Sequence, residues 1–288
     1  MKRKMTMVLA ALMAAVLMAG CSSGTSAETE AAAADAQTEA ETQESSQEEP
    51  GEETPEETAI LVAAAASLKN ACEEELIPMF QEQNPGITVS GTYDSSGKLQ
   101  TQIEEGLEAD VFMSAATAQM DALNEEGLID SDTMVDLLEN KIVLIVPSSS
   151  ELGLASFEDI AKAESIALGD PASVPAGQYA KEALTNLGIW DEIQDKVSFG
   201  TNVTEVLNQV AAASADAGIV YATDAASMAD QVTVIAEAPE GSLAQPVIYP
   251  AAVVKNTAHA DEAKAFVDFL QTDAAMAVFE SYGFAPGL

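Results

Sequence analysis

The chain alternates short apolar runs with amphipathic stretches from residue 59 to residue 288. The apolar runs predict eight strands, at Ile60–Ala64, Ile87–Thr92, Asp110–Ser114, Ile142–Val146, Ser165–Leu168, Ala217–Tyr221, Val232–Ile235 and Val247–Val254. Helical patterns lie between them, at Leu68–Gln83, Lys98–Gly106, Ala118–Glu126, Ala176–Leu187, Val203–Ser214, Asp224–Ala229, Asp261–Leu270 and Ala274–Tyr282. This alternation predicts an α/β fold in which helices cover both faces of parallel or mixed sheets.

The first twenty-one residues have the organisation of an export signal. Basic residues at positions 2–4 precede an apolar stretch at positions 5–19, which is short for a bilayer span. This stretch runs into the sequence LMAGC, which resembles a bacterial lipobox and predicts lipidation of Cys21. The lipid would hold the exported protein at the outer face of the cytoplasmic membrane. Ordinary signal cleavage near Ala27 is the alternative.

Residues 22–58 form a second compositional zone, dominated by Glu, Ala, Thr, Ser and Gln. They contain almost no large apolar side chain, and the part from residue 27 onward has no Lys or Arg. Such a stretch cannot bury enough apolar surface to fold, so we predict a disordered acidic linker.

The charge of the chain restricts its partners. The net charge is −37, and the sole arginine is Arg3 within the export signal. A chain this acidic cannot replace the counterions around phosphates, so nucleic acid is excluded as a partner. Any anionic ligand would have to rely on hydroxyls and on backbone N–H groups at helix starts.

Cysteine and histidine usage argues against an enzyme. With Cys21 lipidated, only Cys72 remains, so no intrachain disulfide is available, and its helical pattern predicts a buried thiol. The single histidine, His259, precedes a predicted helix. Neither a histidine-based zinc site nor a Ser-His-Asp arrangement can be built from this inventory. A hydrolase or transferase with Ser67 or Ser96 as its nucleophile remains the alternative from another class.

Four junctions between predicted strands and helices carry small or hydroxyl side chains. They are AAASL at 64–68, YDSSG at 93–97, DPASVPAG at 170–177 and GIVY at 218–221. Ser67 suits the N-cap of the first helix, Pro175 the first turn of another, and Asn202 can cap the helix that begins at Val203. Ligands collect where helix N-termini meet the carboxyl ends of strands, so these junctions predict an uncharged anion site.

With these motifs in this order, the chain resembles the molybdate-binding protein family of ABC transporters over nearly all of residues 59–288. The run from Asp170 through Gly177, followed by YAKEAL at 179–184, is the most distinctive segment. The resemblance implies a type II periplasmic-binding-protein fold, with two α/β lobes, a hinge and a ligand cleft between them. By analogy, residues 59–141 and 248–288 form lobe 1 and residues 142–247 form lobe 2.

The resemblance also implies which residues contact the anion. The family's contact positions fall on Ser67, Ser96, Ala176, Val203 and Tyr221 of this sequence. The serines would supply hydroxyls and N–H groups, Ala176 and Val203 backbone N–H groups, and Tyr221 its phenol. Asp94 replaces a small neutral residue of the family, so we expect its carboxylate to point away from the ligand.

The function implied by the resemblance is capture of molybdate, and of tungstate as well, for delivery to a membrane permease and its ATPase. Molybdenum would be bound only as the oxyanion, with no cofactor, by a monomer. A binding protein for another tetrahedral oxyanion, such as sulfate or phosphate, is the alternative within the class. A surface sensor or adhesion module that uses the same closing lobes is a third possibility.

Overall fold

The computed structural model describes residues 57–287, and these form two β-sheets with helices packed against them. The predicted α/β class is confirmed. The predicted export signal, the lipidation site Cys21 and most of the acidic linker lie outside the described residues. The first strand begins at Thr58, the last residue assigned to that linker from the sequence.

Eleven strands are present in the described part of the chain. In chain order they are β1 (Thr58–Ala65), β2 (Ile87–Asp94), β3 (Val111–Met113), β4 (Val135–Asn140), β5 (Ile142–Pro147), β6 (Ile166–Gly169), β7 (Val197–Gly200), β8 (Ala217–Tyr221), β9 (Val232–Glu237), β10 (Val247–Val253) and β11 (Ala285–Pro286). One sheet has six strands in the order β11-β4-β10-β3-β1-β2, and the other has five in the order β7-β6-β8-β5-β9. The chain therefore leaves the first sheet after β4 and returns to it with β10.

Both sheets are mixed. In the six-stranded sheet β1 pairs in parallel with β2 and β3, whereas β10 runs antiparallel to β3 and β4. In the five-stranded sheet β6 pairs in parallel with β7 and β8, whereas β5 runs antiparallel to β8 and β9. Parallel pairs place the carboxyl ends of neighbouring strands at one edge, where the following helices begin.

The α-helices follow the strands in an alternating order. They are α1 (Lys69–Ala71), α2 (Ile77–Gln83), α3 (Ser96–Glu104), α4 (Thr117–Glu125), α5 (Pro175–Asn186), α6 (Trp190–Ile193), α7 (Val203–Ala211), α8 (Ala222–Ser227), α9 (Ala260–Leu270) and α10 (Asp273–Ser281). A 3₁₀ turn at Ala66–Leu68 precedes α1, and a π-helical turn at Cys72–Leu76 joins α1 to α2. No described helix combines the length and the apolar character that a membrane crossing needs.

The core is built on central strands that are buried along their whole length. Every residue of β5 and of β10 is buried, as expected for strands covered on both faces. β10 nevertheless contains Pro250, which has no N–H to donate to the sheet. Its pairing with β4 shifts register between Tyr249 and Pro250, the kind of irregularity at which a strand tolerates proline.

Most predicted helix starts and caps are found, but one is wrong. Asn202 caps α7 by accepting a hydrogen bond from the N–H of Glu205 at 2.9 Å, and α5 begins at Pro175. Ser67, predicted as an N-cap, instead lies inside the 3₁₀ turn, whose N-cap is Ala65. Its hydroxyl instead bonds to that of Tyr249 in β10, so a tertiary contact uses the group that the local sequence pattern assigned to a cap.

Cys72 is buried as the sequence predicts. Burial raises the pKa of its thiol to about 12, so it stays protonated and behaves as a small apolar side chain.

Helix α5 lies unusually close to the strand that precedes it. A Cβ added to Gly177, in the first turn of α5, would lie 2.0 Å from the carbonyl oxygen of Gly169 at the end of β6. Only glycine allows this approach. It brings the start of α5, whose first N–H groups have no acceptor within the helix, against the carboxyl end of the sheet.

We expect Gly177→Ala to destabilise the protein by about 2 kcal/mol or more, because the methyl group must push the helix off the strand. An ordinary glycine-to-alanine change within a helix stabilises by about 1 kcal/mol instead. Urea unfolding measures the difference. Thr185→Ala, at an exposed position of the same helix, serves as the control and should change stability little. A more stable Gly177→Ala protein would contradict the close contact.

Candidate functional site

All five contact residues predicted from the sequence line one cavity. They are Ser67, Ser96, Ala176, Val203 and Tyr221. The cavity measures about 10 Å³, close to the space that one water molecule needs, so an occupant would touch the walls on every side. The other lining residues are Ala65, Ala66, Asp94, Ser95, Ala115, Val174 and Pro175. The structure thus brings the five together, and their role in binding stays a prediction.

Three helices of nine or more residues begin at the cavity wall. They are α3 at Ser96, α5 at Pro175 and α7 at Val203. The first N–H groups of a helix have no intrahelical acceptor and carry the positive end of the helix dipole. Since none of the described lining residues is Lys or Arg, the positive potential of this site comes from backbone dipoles.

Ser96 is fully buried, and its hydroxyl oxygen already has a donor. Ser96 Oγ accepts a hydrogen bond from the N–H of Ala115 at 2.9 Å. A hydroxyl has one proton to donate, so the proton of Ser96 remains for an acceptor inside the cavity. Ser67 is partly buried, and its Oγ lies 3.0 Å from the hydroxyl oxygen of Tyr249.

Tyr221 closes the cavity from the end of β8 and is 1% exposed. Burial raises the pKa of its hydroxyl well above the usual value, so the group stays protonated and can donate. It donates to the carbonyl oxygen of Ala115 at 3.3 Å. Bonds of this length are weak, so a charged acceptor inside the cavity could take the proton at little cost.

Direct contacts join the two sides of the cavity. The N–H of Gly97, in α3, donates to the carbonyl oxygen of Ser173, in the loop before α5, at 3.0 Å. A Cβ on Gly97 would lie 2.5 Å from that oxygen, so the two main chains can meet only at glycine. The side-chain amide of Asn202 donates to Asp94 at 3.2 Å. Segments that follow strands of the two sheets are therefore in contact around the cavity.

Asp94 lines the cavity, and its carboxylate is held by three donors. It accepts hydrogen bonds from the N–H of Ser95 at 2.8 Å, from Lys98 Nζ at 3.1 Å and from Asn202 Nδ2 at 3.2 Å. Lys98, in the first turn of α3, and Asp94, at the end of β2, form a partly exposed ion pair. The lysine compensates the negative charge locally, although it does not line the cavity itself.

Sequence reasoning gave no role to several polar groups in or behind the cavity wall, although Ser95 lies within one of the predicted junctions. The hydroxyl of Ser95 is buried without a partner among the described residues. Tyr249 and Asn140, both buried, bond behind Ser67. The sequence offered one signal for Tyr249: it is a hydroxyl-bearing residue inside the apolar run of β10. A hydroxyl buried in this way needs a hydrogen-bond partner, so a polar contact could have been expected there.

Asp224 is a further buried polar residue, in the first turn of α8. Its Oδ2 has no hydrogen-bond partner in the described structure. Burial raises the pKa of this carboxyl to about 7, and a backbone hydrogen bond from Tyr221 offsets only part of the shift. The residue therefore changes charge near neutral pH.

His259 lies away from these serines. It is the N-cap residue of α9, as expected, and it lines a separate cavity of about 720 Å³. In that cavity Asp110 already accepts hydrogen bonds from the N–H of Leu61 and the hydroxyl of Thr257. Within residues 57–287 no group of three or more His, Cys, Asp or Glu residues is arranged to hold a metal ion. The cavity at Ser67 and Ser96 therefore remains the candidate site, with hydroxyls and helix-start N–H groups as its donors.

Comparisons with known proteins agree with this chemistry. The chain matches the family described as bacterial extracellular solute-binding protein over residues 60–285. YvgL of Bacillus subtilis is 43% identical over 225 residues, covering 78% of this chain and 85% of the relative. The molybdate-binding protein ModA of Haemophilus influenzae is 40% identical over 234 residues, covering 78% of this chain and 89% of the relative.

A solved structure gives the same fold. The periplasmic molybdate-binding protein of Azotobacter vinelandii superimposes with a TM-score of 0.70 at 22% identity, covering 80% of this chain and all of that one. Two mixed sheets with a donor-lined cavity at their helix starts define a solute-binding protein of the type II fold, and this predicted fold is confirmed. The chain belongs to the bacterial extracellular solute-binding protein family, and the resemblance found in the sequence is confirmed.

Asp224 predicts an unusual dependence of stability on pH. Its pKa in the folded protein, about 7, exceeds the ordinary value of 3.8, so the folded state binds the proton more tightly than the unfolded state. Its contribution to stability is complete below pH 4 and is lost as pH rises through 7, by a few kcal/mol. Asp224→Asn should remove this loss. The free energy of unfolding of the variant, relative to that of wild type, should therefore increase from pH 4 to pH 7.

Asp216→Asn is the matched control. Hydrogen bonds from Ser165, with a smaller one from Glu164, lower the pKa of Asp216, so its contribution is present above about pH 4 and is lost only in more acidic solution. Denaturant unfolding at several pH values measures both variants. If the free energy of unfolding changed equally with pH in wild type and in Asp224→Asn between pH 4 and 7, the raised pKa of the buried carboxyl would be contradicted.

Proposed function

We propose that this protein captures molybdate, and tungstate as well, outside the cytoplasm and delivers it to the permease of an ABC transporter. The observation that carries this proposal is the single cavity lined by Ser67, Ser96, Ala176, Val203 and Tyr221 in a member of a solute-binding family. The relative ModA of Haemophilus influenzae is named as a molybdate-binding protein. The role is binding and delivery, without chemical conversion of the ligand.

The chemistry of the cavity favours a fully deprotonated oxyanion. Such an ion offers only acceptors, so its site should offer only donors. A binder of protonated phosphate would need an acceptor for the phosphate proton. The one carboxylate in the wall, that of Asp94, is occupied by Ser95, Lys98 and Asn202.

The donors are numerous enough for tight binding. Hydrogen bonds to a charged group contribute about 1.5–3 kcal/mol each, so six or seven would give roughly 10–20 kcal/mol before dehydration of the ion is subtracted. A submicromolar affinity requires only about 8 kcal/mol. Since the cavity measures about 10 Å³, a four-oxygen ion can enter only if the walls move apart, and the long bond from Tyr221 to Ala115 is a contact easily given up.

Two sequence predictions complete the proposal. Export and lipidation at Cys21, followed by the acidic linker at residues 22–58, would tether a monomeric binding protein to the outer face of the cytoplasmic membrane. The relative YvgL is itself provisionally named as a substrate-binding lipoprotein. Residues 59–141 with 248–288 would form lobe 1 and residues 142–247 lobe 2, in accord with the division of strands between the two sheets.

Isothermal titration calorimetry with sodium molybdate tests the ligand directly. We expect a submicromolar dissociation constant for molybdate and tungstate, because both present four acceptor oxygens to a donor-only cavity. Sulfate also presents four acceptor oxygens, so a molybdate titration in excess sulfate distinguishes the two anions. No binding heat at micromolar molybdate would overturn the proposal, and strong competition by sulfate would assign the site to that smaller anion.

Removing single hydroxyls from the cavity should weaken binding. Ser96→Ala and Tyr221→Phe should each reduce the binding free energy for molybdate by about 1–3 kcal/mol, because each deletes a donor to a charged ligand. Thr101→Ala deletes a hydroxyl on α3 that bonds to the carbonyl of Gly97, and it should leave affinity unchanged. Unaltered affinity in both cavity variants would show that the anion binds elsewhere.

A further inference from the structure

We propose that Asn140 and Tyr249 act as positioning residues that turn the hydroxyl proton of Ser67 into the anion cavity. Three buried groups form a chain of hydrogen bonds behind the cavity wall, from Thr223 through Asn140 and Tyr249 to Ser67. This inference rests on the proposed function, since a proton directed into the cavity matters only if an anion binds there.

The orientation of the Asn140 side chain is fixed by its neighbour in sequence. Asn140 Oδ1 accepts a hydrogen bond from the backbone N–H of Lys141 at 2.8 Å. The amide nitrogen therefore faces the other way, where it lies 2.9 Å from Thr223 Oγ1 and 3.2 Å from the hydroxyl oxygen of Tyr249. An amide nitrogen can only donate, so the hydroxyl oxygen of Tyr249 accepts from Asn140.

The proton of Tyr249 needs an acceptor other than Asn140. Tyr249 is 1% exposed, and burial raises the pKa of its hydroxyl well above the usual value, so the group keeps its proton. An unpaired buried proton is unfavourable. Ser67 Oγ, at 3.0 Å, is the acceptor in contact with this hydroxyl. By distance alone either oxygen could be the donor. The amide of Asn140 can only donate, so it cannot take the proton of Tyr249, and the assignment of Tyr249 as donor rests on Ser67 being the partner left to accept that proton.

Ser67 is then left with a free proton and an occupied lone pair. Its hydroxyl oxygen accepts from Tyr249, so its own proton has to find an acceptor elsewhere, and Ser67 lines the cavity. Ser96 has the same arrangement, because its Oγ accepts from the N–H of Ala115. Both serines are therefore held as donors toward the cavity, which discriminates against ligands that themselves carry a proton.

Asn140, which donates to both Thr223 and Tyr249, lies where the main chain passes between the two sheets. Asn140 is the last residue of β4, immediately before the chain crosses from the six-stranded to the five-stranded sheet. Thr223 lies in α8, which follows a strand of the second sheet. The orientation of Ser67 is thus set by groups anchored on both sheets.

A double-mutant cycle with molybdate titration tests the inference. Tyr249→Phe should weaken molybdate binding about two- to tenfold, because Ser67 loses the partner that holds its proton toward the anion. Ser67→Ala alone should weaken it about tenfold or more. In the Ser67→Ala background Tyr249→Phe should have no further effect within about twofold, since the residue on which Tyr249 acts is gone. Tyr282→Phe removes a phenol that bonds to Glu74 at the surface, and it should bind like wild type.

The possible results separate this inference from the proposed function. Wild-type affinity in Tyr249→Phe, or an equal loss in both backgrounds, overturns the positioning role while wild-type molybdate binding stands. Failure of the wild-type protein to bind molybdate overturns both. Thermal unfolding of the ligand-free variants, run in parallel, identifies any loss of affinity that merely follows from loss of folded protein.

Discussion

Backbone N–H groups at helix starts, which have no acceptor within their own helix, are the feature on which the rest of this protein depends. A helix cannot satisfy its first N–H groups internally, and burying them without partners costs free energy. Here α3, α5 and α7 begin at one cavity, and glycines at 97 and 177 allow the main chains to approach closely enough to enclose it. The fold therefore places several N–H groups that require hydrogen-bond acceptors around one small cavity. An oxyanion meets that need without any cationic side chain.

The polar groups behind the cavity wall determine whether the hydroxyls of Ser67 and Ser96 donate or accept toward the cavity. Hydroxyls are ambivalent, since they donate and accept. The N–H of Ala115 occupies the oxygen of Ser96, and the chain from Asn140 through Tyr249 occupies that of Ser67. Both serines then behave as donors only. On the proposed function, selectivity for a deprotonated ion follows from the groups that hold these two hydroxyls as donors.

Much of this could be predicted from the sequence, and the exceptions have physical reasons. Long apolar runs located the central strands, and all five residues carried over from the family line one cavity. β4, with Asp136 and Glu139, and the short β7, with exposed Phe199, lack a clean apolar pattern and were missed. Ser67 was assigned to a cap because local pattern cannot reveal Tyr249, which lies 182 positions away. Hydrogen bonds between residues so far apart in sequence depend on how the strands are paired. Secondary-structure propensity carries no information on that pairing.

The contrast between an acidic chain and an anion site without Lys or Arg among its described lining residues has a kinetic consequence. Dipoles at helix starts act over a few ångströms, whereas a net charge of −37 repels an approaching anion over the Debye length, about 30 Å at 0.01 M salt and 8 Å at physiological ionic strength. Capture should therefore accelerate as salt is added, the reverse of the behaviour of proteins that steer ligands by opposite charge. Such a receptor is suited to surroundings rich in electrolyte, where distant carboxylates are screened and only the short-range donors are felt.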